Sequence, residues 1–145
     1  MYSQVETILL RLEQDIRSFW DYMPEDMIYI NPSEGMELPA NARYAVIGLG
    51  EEIAIANQTP THDEAQLNFG ITGRFEVEEN LDVRLEQLRL ADTARQNLTA
   101  SPEYADTAYL PIVRGVLLEP TKPNDNWFEV GIVFECKIAV QRGLL

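Results

Sequence analysis

The segment SQVETILLRLEQDIRSFW, residues 3–20, has apolar side chains at intervals of three and four, with charged side chains between them. This spacing is typical of an amphipathic helix that packs one side against a core. Ser3 and Glu6 have the spacing of a capping box, which marks the start of a helix. The pattern therefore predicts an N-terminal helix that begins near Ser3 and ends before Pro24.

Two later segments alternate between apolar and polar residues instead, which predicts strands with one face on the core. In NWFEVGIVFECKIAV, residues 126–140, every even position from Phe128 to Val140 is apolar. In LNFGITGRFEV, residues 67–77, the apolar side chains that share a face are Leu67, Phe69, Ile71, Phe75 and Val77.

The final strand follows another extended run, YLPIVRGVLLE, with only PTKPNDN between them. The prolines, asparagines and aspartate of this connection predict a turn, and hence a long C-terminal β-hairpin. At about 3.3 Å per residue, the stretch from Trp127 to Val140 would span roughly 45 Å. Because strands usually have about five or six residues, we expect the hairpin to project past the domain and to need a partner that covers it.

The segment RYAVIGLGEEIAIAN, residues 43–57, is apolar in two runs that Gly48 and Gly50 interrupt. It predicts either one bent strand or a hairpin, and the sequence does not separate these alternatives. The polar segment NQTPTHDEAQ, residues 57–66, predicts an exposed loop.

The segment NLDVRLEQLRLADTARQNL, residues 80–98, has helical spacing, with Asn80 as the expected cap. At about 100° per residue, its apolar side chains form two stripes on nearly opposite sides of the helix. One stripe consists of Leu81, Leu85 and Leu88, and the other of Val83, Leu90 and Ala94. The core of one domain covers a single stripe, so the other needs a different cover.

We assign the stripe of Val83, Leu90 and Ala94 to a contact between subunits. Arg84 and Arg95 share a side of the helix, where they either reach acidic side chains of a neighbouring subunit or stay solvated. The alternative is that this stripe packs on the N-terminal helix of the same chain. Reversing both arginine charges would then leave the oligomeric state unchanged.

Asp92 lies in line with the stripe of Leu81, Leu85 and Leu88 at helical spacing. We expect it to be a buried acid that forms an ion pair with Arg89 or Arg95, each three residues away. The alternative is that this apolar stripe simply ends at Leu88.

The order of elements is helix, strand or strand pair, strand, helix, strand, strand. Short connections between the last strands favour an antiparallel sheet, with the helices packed on one face. We therefore expect an α+β fold that forms a single domain over residues 1–145.

The charge of the chain is strongly negative and unevenly distributed. There are 24 acidic and 11 basic side chains, a net charge of -13. Residues 1–79 contain 15 of the acidic and only 4 of the basic ones. This argues against binding a nucleic-acid backbone, which requires clustered Lys and Arg. An acidic surface can still let DNA pass without retaining it, and it also keeps a protein soluble.

Residues suited to catalysis or metal binding are few. His62 is the only histidine and precedes Asp63 and Glu64, but adjacent residues rarely converge on one ion. We expect no metal there, and expect this stretch to be part of an exposed loop. Cys136 lies on an apolar strand face, which favours a structural role.

Other motifs are equally weak. The segment VIGLGEE lacks the third glycine and the lysine of a phosphate-binding loop. Neighbouring carboxylates in a strand point to opposite faces, so they do not form a catalytic pair across a cleft. We therefore predict no catalytic residues, no cofactor, no metal and no enzymatic activity.

The single cysteine, Cys136, excludes an intrachain disulfide. The chain shows no secretory leader and no apolar run near the roughly 18 residues that span a bilayer. We expect synthesis in a reducing cytoplasm and no membrane contact.

The run FGITGRFEVEENLDVRLEQLRLADTARQNL, followed by YLPIVRGVLLEP and WFEVGIVFECKIAV, resembles a tailed-phage neck protein of the tail terminator, or tail-completion, type. The resemblance covers the order of elements over essentially the whole chain. It does not depend on any specific motif.

This resemblance implies a ring, typically hexameric, that caps the tail tube of a virion in its neck region. Its partners would be further copies of itself, the tail tube protein and a head-closure or connector protein. DNA would pass through the lumen without specific binding, and the loop of His62, Asp63 and Glu64 would be exposed to the lumen or to a partner. The alternatives are another neck adaptor, such as a head-closure protein, or a small cytosolic α+β enzyme or ligand-binding domain with an acidic pocket.

Overall fold

A computed structural model describes residues 1–21, 23–120 and 125–143, and it confirms the α+β fold. Within these ranges, two helices accompany seven strands and a short 3-10 turn, Glu25–Met27. The helices are α1 (Tyr2–Phe19) and α2 (Val83–Leu98). The strands are β1 (Ile28–Ile30), β2 (Tyr44–Leu49), β3 (Ala54–Asn57), β4 (His62–Glu76), β5 (Glu103–Tyr104), β6 (Ala108–Leu118) and β7 (Trp127–Gln141).

The strands form one sheet with the order β1-β2-β4-β7-β6-β5, and β3 pairs with β4 on the β2 side. The pairs are antiparallel except β1 with β2. β7 lies at the centre and pairs with β4 along its whole length, from Trp127 opposite Glu76 to Gln141 opposite His62. The expectation of a projecting hairpin is therefore wrong, because β4 is as long as β7. The predicted turn falls largely on residues 121–124, which lie outside the described residues.

β2 and β3 pair one after the other with β4, so the segment from residue 43 to residue 57 is an interrupted strand and not a hairpin. Leu49 lies opposite Phe69, and Ala54 lies opposite Gln66. The four residues between them form a bulge in the edge. The predicted loop of residues 57–66 is wrong from His62 onward, because those residues already pair with β7.

The core lies between the two helices and one face of the sheet. The predicted alternation is confirmed, since the even positions of β7 from Phe128 to Ile138 are all buried. Trp20, directly after α1, is completely buried. Its ring packs edge to face on Phe19 and Phe75, and its indole N–H donates to the carbonyl oxygen of Leu90 at 3.1 Å. Trp20 thereby joins α1, the sheet and α2.

Both helices begin at residues other than the predicted ones. α1 starts at Tyr2, after Met1, and no side chain caps it, so the capping box of Ser3 and Glu6 is not formed. α2 is capped by Asp82, whose carboxylate accepts from the backbone N–H of Leu85 at 3.1 Å. Asn80, the predicted cap, has a φ of 62° and forms part of the preceding turn.

Gly73 leaves room for Trp20, and this gives a testable prediction. A Cβ atom at position 73 would lie 2.6 Å from Cζ3 of Trp20 and 2.7 Å from Cε2 of Phe75. Gly73→Ala should therefore lower the free energy of unfolding by about 1–3 kcal/mol, measured by urea denaturation, because overpacking forces the rings apart. At Gly70, a Cβ would have no neighbour within 4 Å, so Gly70→Ala is the matched control. Equal losses for the two variants would contradict this account.

Candidate interaction surfaces

α2 presents to the core the stripe that we assigned to a neighbouring subunit. Leu90 is 7% exposed and Ala94 is fully buried, whereas Leu85 is 63% exposed and Leu88 is 51% exposed. Val83 is half-buried and packs against the core. The assignment of Val83, Leu90 and Ala94 to a subunit contact is therefore corrected in favour of the alternative, in which this stripe packs within its own chain.

Gln87 is the reason why the apolar pattern does not show which side of α2 faces the core. It is 1% exposed, and its side-chain amide donates to the backbone carbonyls of Glu119 at 2.7 Å and Glu129 at 3.0 Å. Two satisfied hydrogen bonds make burial of a polar side chain favourable. A glutamine thus belongs to the buried stripe, and a pattern of apolar residues alone does not reveal it.

The arginines of α2 differ in their partners. Arg95 pairs with Asp92 at 2.8 Å, which confirms the ion pair, but both side chains are about half exposed, so the predicted burial of Asp92 is wrong. Arg89 pairs with Glu86. Arg84 donates to the backbone carbonyl of Leu118 at 2.7 Å and has no carboxylate partner within the described residues. Its charge is therefore available to a carboxylate of another molecule.

We use the name outer stripe for Leu85 and Leu88 together with Arg84. Leu85 and Leu88 lie on the same side of α2, three residues apart, and Arg84 is one turn before Leu88. Two largely exposed leucines next to a cation without a carboxylate partner form a surface that another protein can cover. The outer stripe takes the place of Val83, Leu90 and Ala94 as the candidate contact.

The face of the sheet that points away from the helices is nearly neutral, in contrast to the whole chain. Six of its charged side chains pair across neighbouring strands. The pairs are Glu64 with Lys137 at 3.2 Å, Glu135 with Arg114 at 2.7 Å and Glu129 with Arg74 at 3.7 Å. Apolar side chains on this face are also exposed, among them Leu117 at 58%.

His62, Asp63 and Glu64 lie in β4 and not in an exposed loop, which corrects the prediction for this stretch. Strand alternation separates Asp63 from its two neighbours, and Asp63 pairs with Arg142 at 2.8 Å. Glu64 accepts from the hydroxyl of Tyr109 at 2.8 Å, and this bond holds the pKa of Glu64 below its usual value. The ring of His62 hydrogen-bonds the hydroxyl of Thr61 at 2.9 Å, so the three side chains have partners within the chain and do not converge on one point.

The buried ionisable groups Cys136 and Tyr104 are surrounded by the core and do not form a catalytic arrangement. Burial and the charge of Glu135 raise the pKa of Cys136 to about 12, so its thiol stays protonated near neutral pH. Tyr104 donates to Asp15 at 2.5 Å, and burial is the main cause of its raised pKa. The thiol of Cys136 and the hydroxyl of Tyr104 are therefore protonated at neutral pH.

A cleft of about 280 Å³ at the end of α1 is the feature closest to an acidic pocket. Carboxylates from Asp21, Glu76, Glu78 and Glu86 line it with the guanidinium groups of Arg43 and Arg89. The bond from Arg89 lowers the pKa of Glu86, the opposite of what a general acid at neutral pH requires. The described residues contain no group of three or more metal-ligating side chains placed to hold an ion.

Neither helix in the described part of the chain has the length and apolar character that crossing a bilayer requires. No protein-family model matches the sequence, and no curated protein matches it significantly. A structural likeness exists to a chain from a structure described as "Virion of native gene transfer agent (GTA) particle". The two share 14% sequence identity with a TM-score of 0.55, over 95% of this chain and 90% of that chain. At this identity, the likeness shows a shared fold.

Proposed function

We propose that the protein is a structural component of a phage-like virion, and specifically a tail terminator. In this proposal, copies of the chain form a closed ring, typically a hexamer, in the neck of the particle. The ring ends the growth of the tail tube and provides the surface that joins the tail to a head-closure or connector protein. DNA passes through its lumen, and the chain has no enzymatic role.

The observation that carries the proposal is the shared fold with a virion chain over nearly the full length of both molecules. The likeness extends over 95% of this chain and 90% of the virion chain. Small α+β domains serve many functions, so the fold needs support from a surface. The outer stripe provides this support, because a subunit of a ring must expose surfaces that its neighbours cover.

The distribution of charge is compatible with a DNA channel. The net charge of -13 repels a phosphate backbone, and the described residues contain no cluster of unpaired Lys and Arg. A ring of such subunits would let DNA move without retaining it.

The test of this function is the length of tails in particles that lack the chain. If the protein is a terminator, removal of its gene should give tails of uncontrolled length, seen by electron microscopy, and few joined particles. If it is a head-closure protein, tails should keep a uniform length while heads remain unjoined and lose DNA. Supplying the wild-type chain from a plasmid is the control. Particles of normal length and infectivity without the chain would contradict any role in the neck.

A further inference from the structure

A groove beside α1 is a further exposed apolar surface that a neighbour can cover, and we call it the α1 groove. It has a volume of about 390 Å³. The exposed side chains at its rim include Tyr2, at 80%, and Leu10, at 53%. Glu6 lies between them on the same side of α1, one turn from each. The floor is formed by Val5, Leu9, Ile30 and Leu49.

The α1 groove and the outer stripe lie on opposite sides of the molecule. The groove includes Ile30 of β1 and Leu49 of β2, at one edge of the sheet. Arg84 of the outer stripe bonds Leu118 at the end of β6, on the other side of the central strands. The side of α2 next to α1 is occupied by the bond from Trp20 to Leu90. The outer stripe therefore points away from α1 and from its groove.

The two surfaces match in chemistry. Each presents exposed apolar side chains from a helix, with one charged side chain among them. Glu6 has no cationic partner within the described residues, and Arg84 has no carboxylate partner there. The charges are opposite, so each could satisfy the other when the apolar side chains are brought together.

We propose that the outer stripe of one copy of this chain docks in the α1 groove of the next copy, with Arg84 paired to Glu6. The inference rests on the proposed ring and names the surfaces that build it. Because the two surfaces differ and lie on opposite sides, the contact is head to tail. Repetition of such a contact gives a closed ring when the successive rotations bring the last copy back to the first, and a filament when they do not.

A charge exchange tests the pair. Glu6→Arg and Arg84→Glu should each raise the concentration needed for half-maximal assembly about tenfold or more, because each places like charges in the contact. The double variant should return to within about threefold of the wild type. Glu78→Arg changes the net charge as much as Glu6→Arg at an exposed position away from the groove, and should leave assembly unchanged. Light scattering on a sizing column measures all four.

Cross-linking in assembled particles gives a second test that does not require the isolated chain to assemble. Because Cys136 is buried, a chain that carries both Leu10→Cys and Leu88→Cys offers two accessible thiols. Oxidation should link neighbouring copies into a ladder of multimers, and each single variant should give none. Particles in which no ladder forms would overturn the contact.

The outcomes separate this contact from the ring itself. If the ring still forms in both single variants, or if the double variant does not recover assembly, the pairing of Arg84 with Glu6 is overturned. The ring itself would still stand. A wild-type chain that is monomeric in solution and absent from particles overturns the ring and the contact together.

Discussion

Replacement of Trp20 by alanine should lower the free energy of unfolding by about 3–5 kcal/mol, the usual range for a buried tryptophan. Trp20 is fully buried, and its ring lies 5.0 Å from that of Phe19 and 5.3 Å from that of Phe75. The variant loses this packing and the bond to Leu90. Since small domains have only about 5–15 kcal/mol of stability, a large part of it would be lost.

Urea denaturation followed by far-ultraviolet circular dichroism measures this loss, with two comparison variants. Trp20→Phe keeps an aromatic ring but removes the indole N–H, so it should lose clearly less stability than Trp20→Ala. Trp127→Ala removes a half-buried tryptophan whose ring stacks on the guanidinium of Arg74, and it should also lose less. A Trp20→Ala variant as stable as Trp127→Ala would show that Trp20 does not join the helices to the sheet.

Replacement of both Leu85 and Leu88 by glutamine should abolish assembly while the subunit stays folded. These side chains are 63% and 51% exposed in the single chain, so their removal leaves the core intact. If they are covered in the ring, each buries the exposed half to two-thirds of its surface, which is worth about 1–2 kcal/mol. A loss of this size at every contact is enough to dissociate a ring.

The control for this variant replaces two equally exposed apolar side chains elsewhere. Ile55 in β3 and Leu117 in β6 are both 58% exposed. The double variant Ile55→Gln with Leu117→Gln should therefore assemble like the wild type. If it dissociates while the α2 variant assembles, the contact lies on the sheet and not on the outer stripe.

Strands β4 and β7 could be predicted because apolar and polar side chains alternate along them. β4 and β7 each bury one face, so alternation of apolar residues revealed Phe69, Ile71 and the even positions of β7. The sequence did not reveal that β4 begins at His62. The side chains of His62, Asp63 and Glu64 are polar and predict a loop, although the hydrogen bonds of their backbone to β7 are those of a strand. The open face of the sheet accepts the polar side chains of His62 and Glu64, and Asp63 on the opposite face pairs with Arg142.

The side of α2 that faces the core could not be predicted from apolar residues alone. Both of its stripes have three apolar members, and the deciding residue is Gln87, which is polar but buried with two hydrogen bonds. The partners of these bonds, the carbonyls of Glu119 and Glu129, come from distant parts of the chain. Only the tertiary structure brings them to Gln87, so the candidate surface on α2 changed from Leu90 and Ala94 to Leu85 and Leu88.

The most direct test of the proposed ring is the mass of the wild-type protein in solution, measured by light scattering on a sizing column over a range of concentrations and salt. We expect a species near six subunits, or a clear shift toward it as concentration rises, and a monomer for the variant that lacks Leu85 and Leu88. A strictly monomeric wild-type chain under all of these conditions, and in the presence of assembled tails, would contradict the ring.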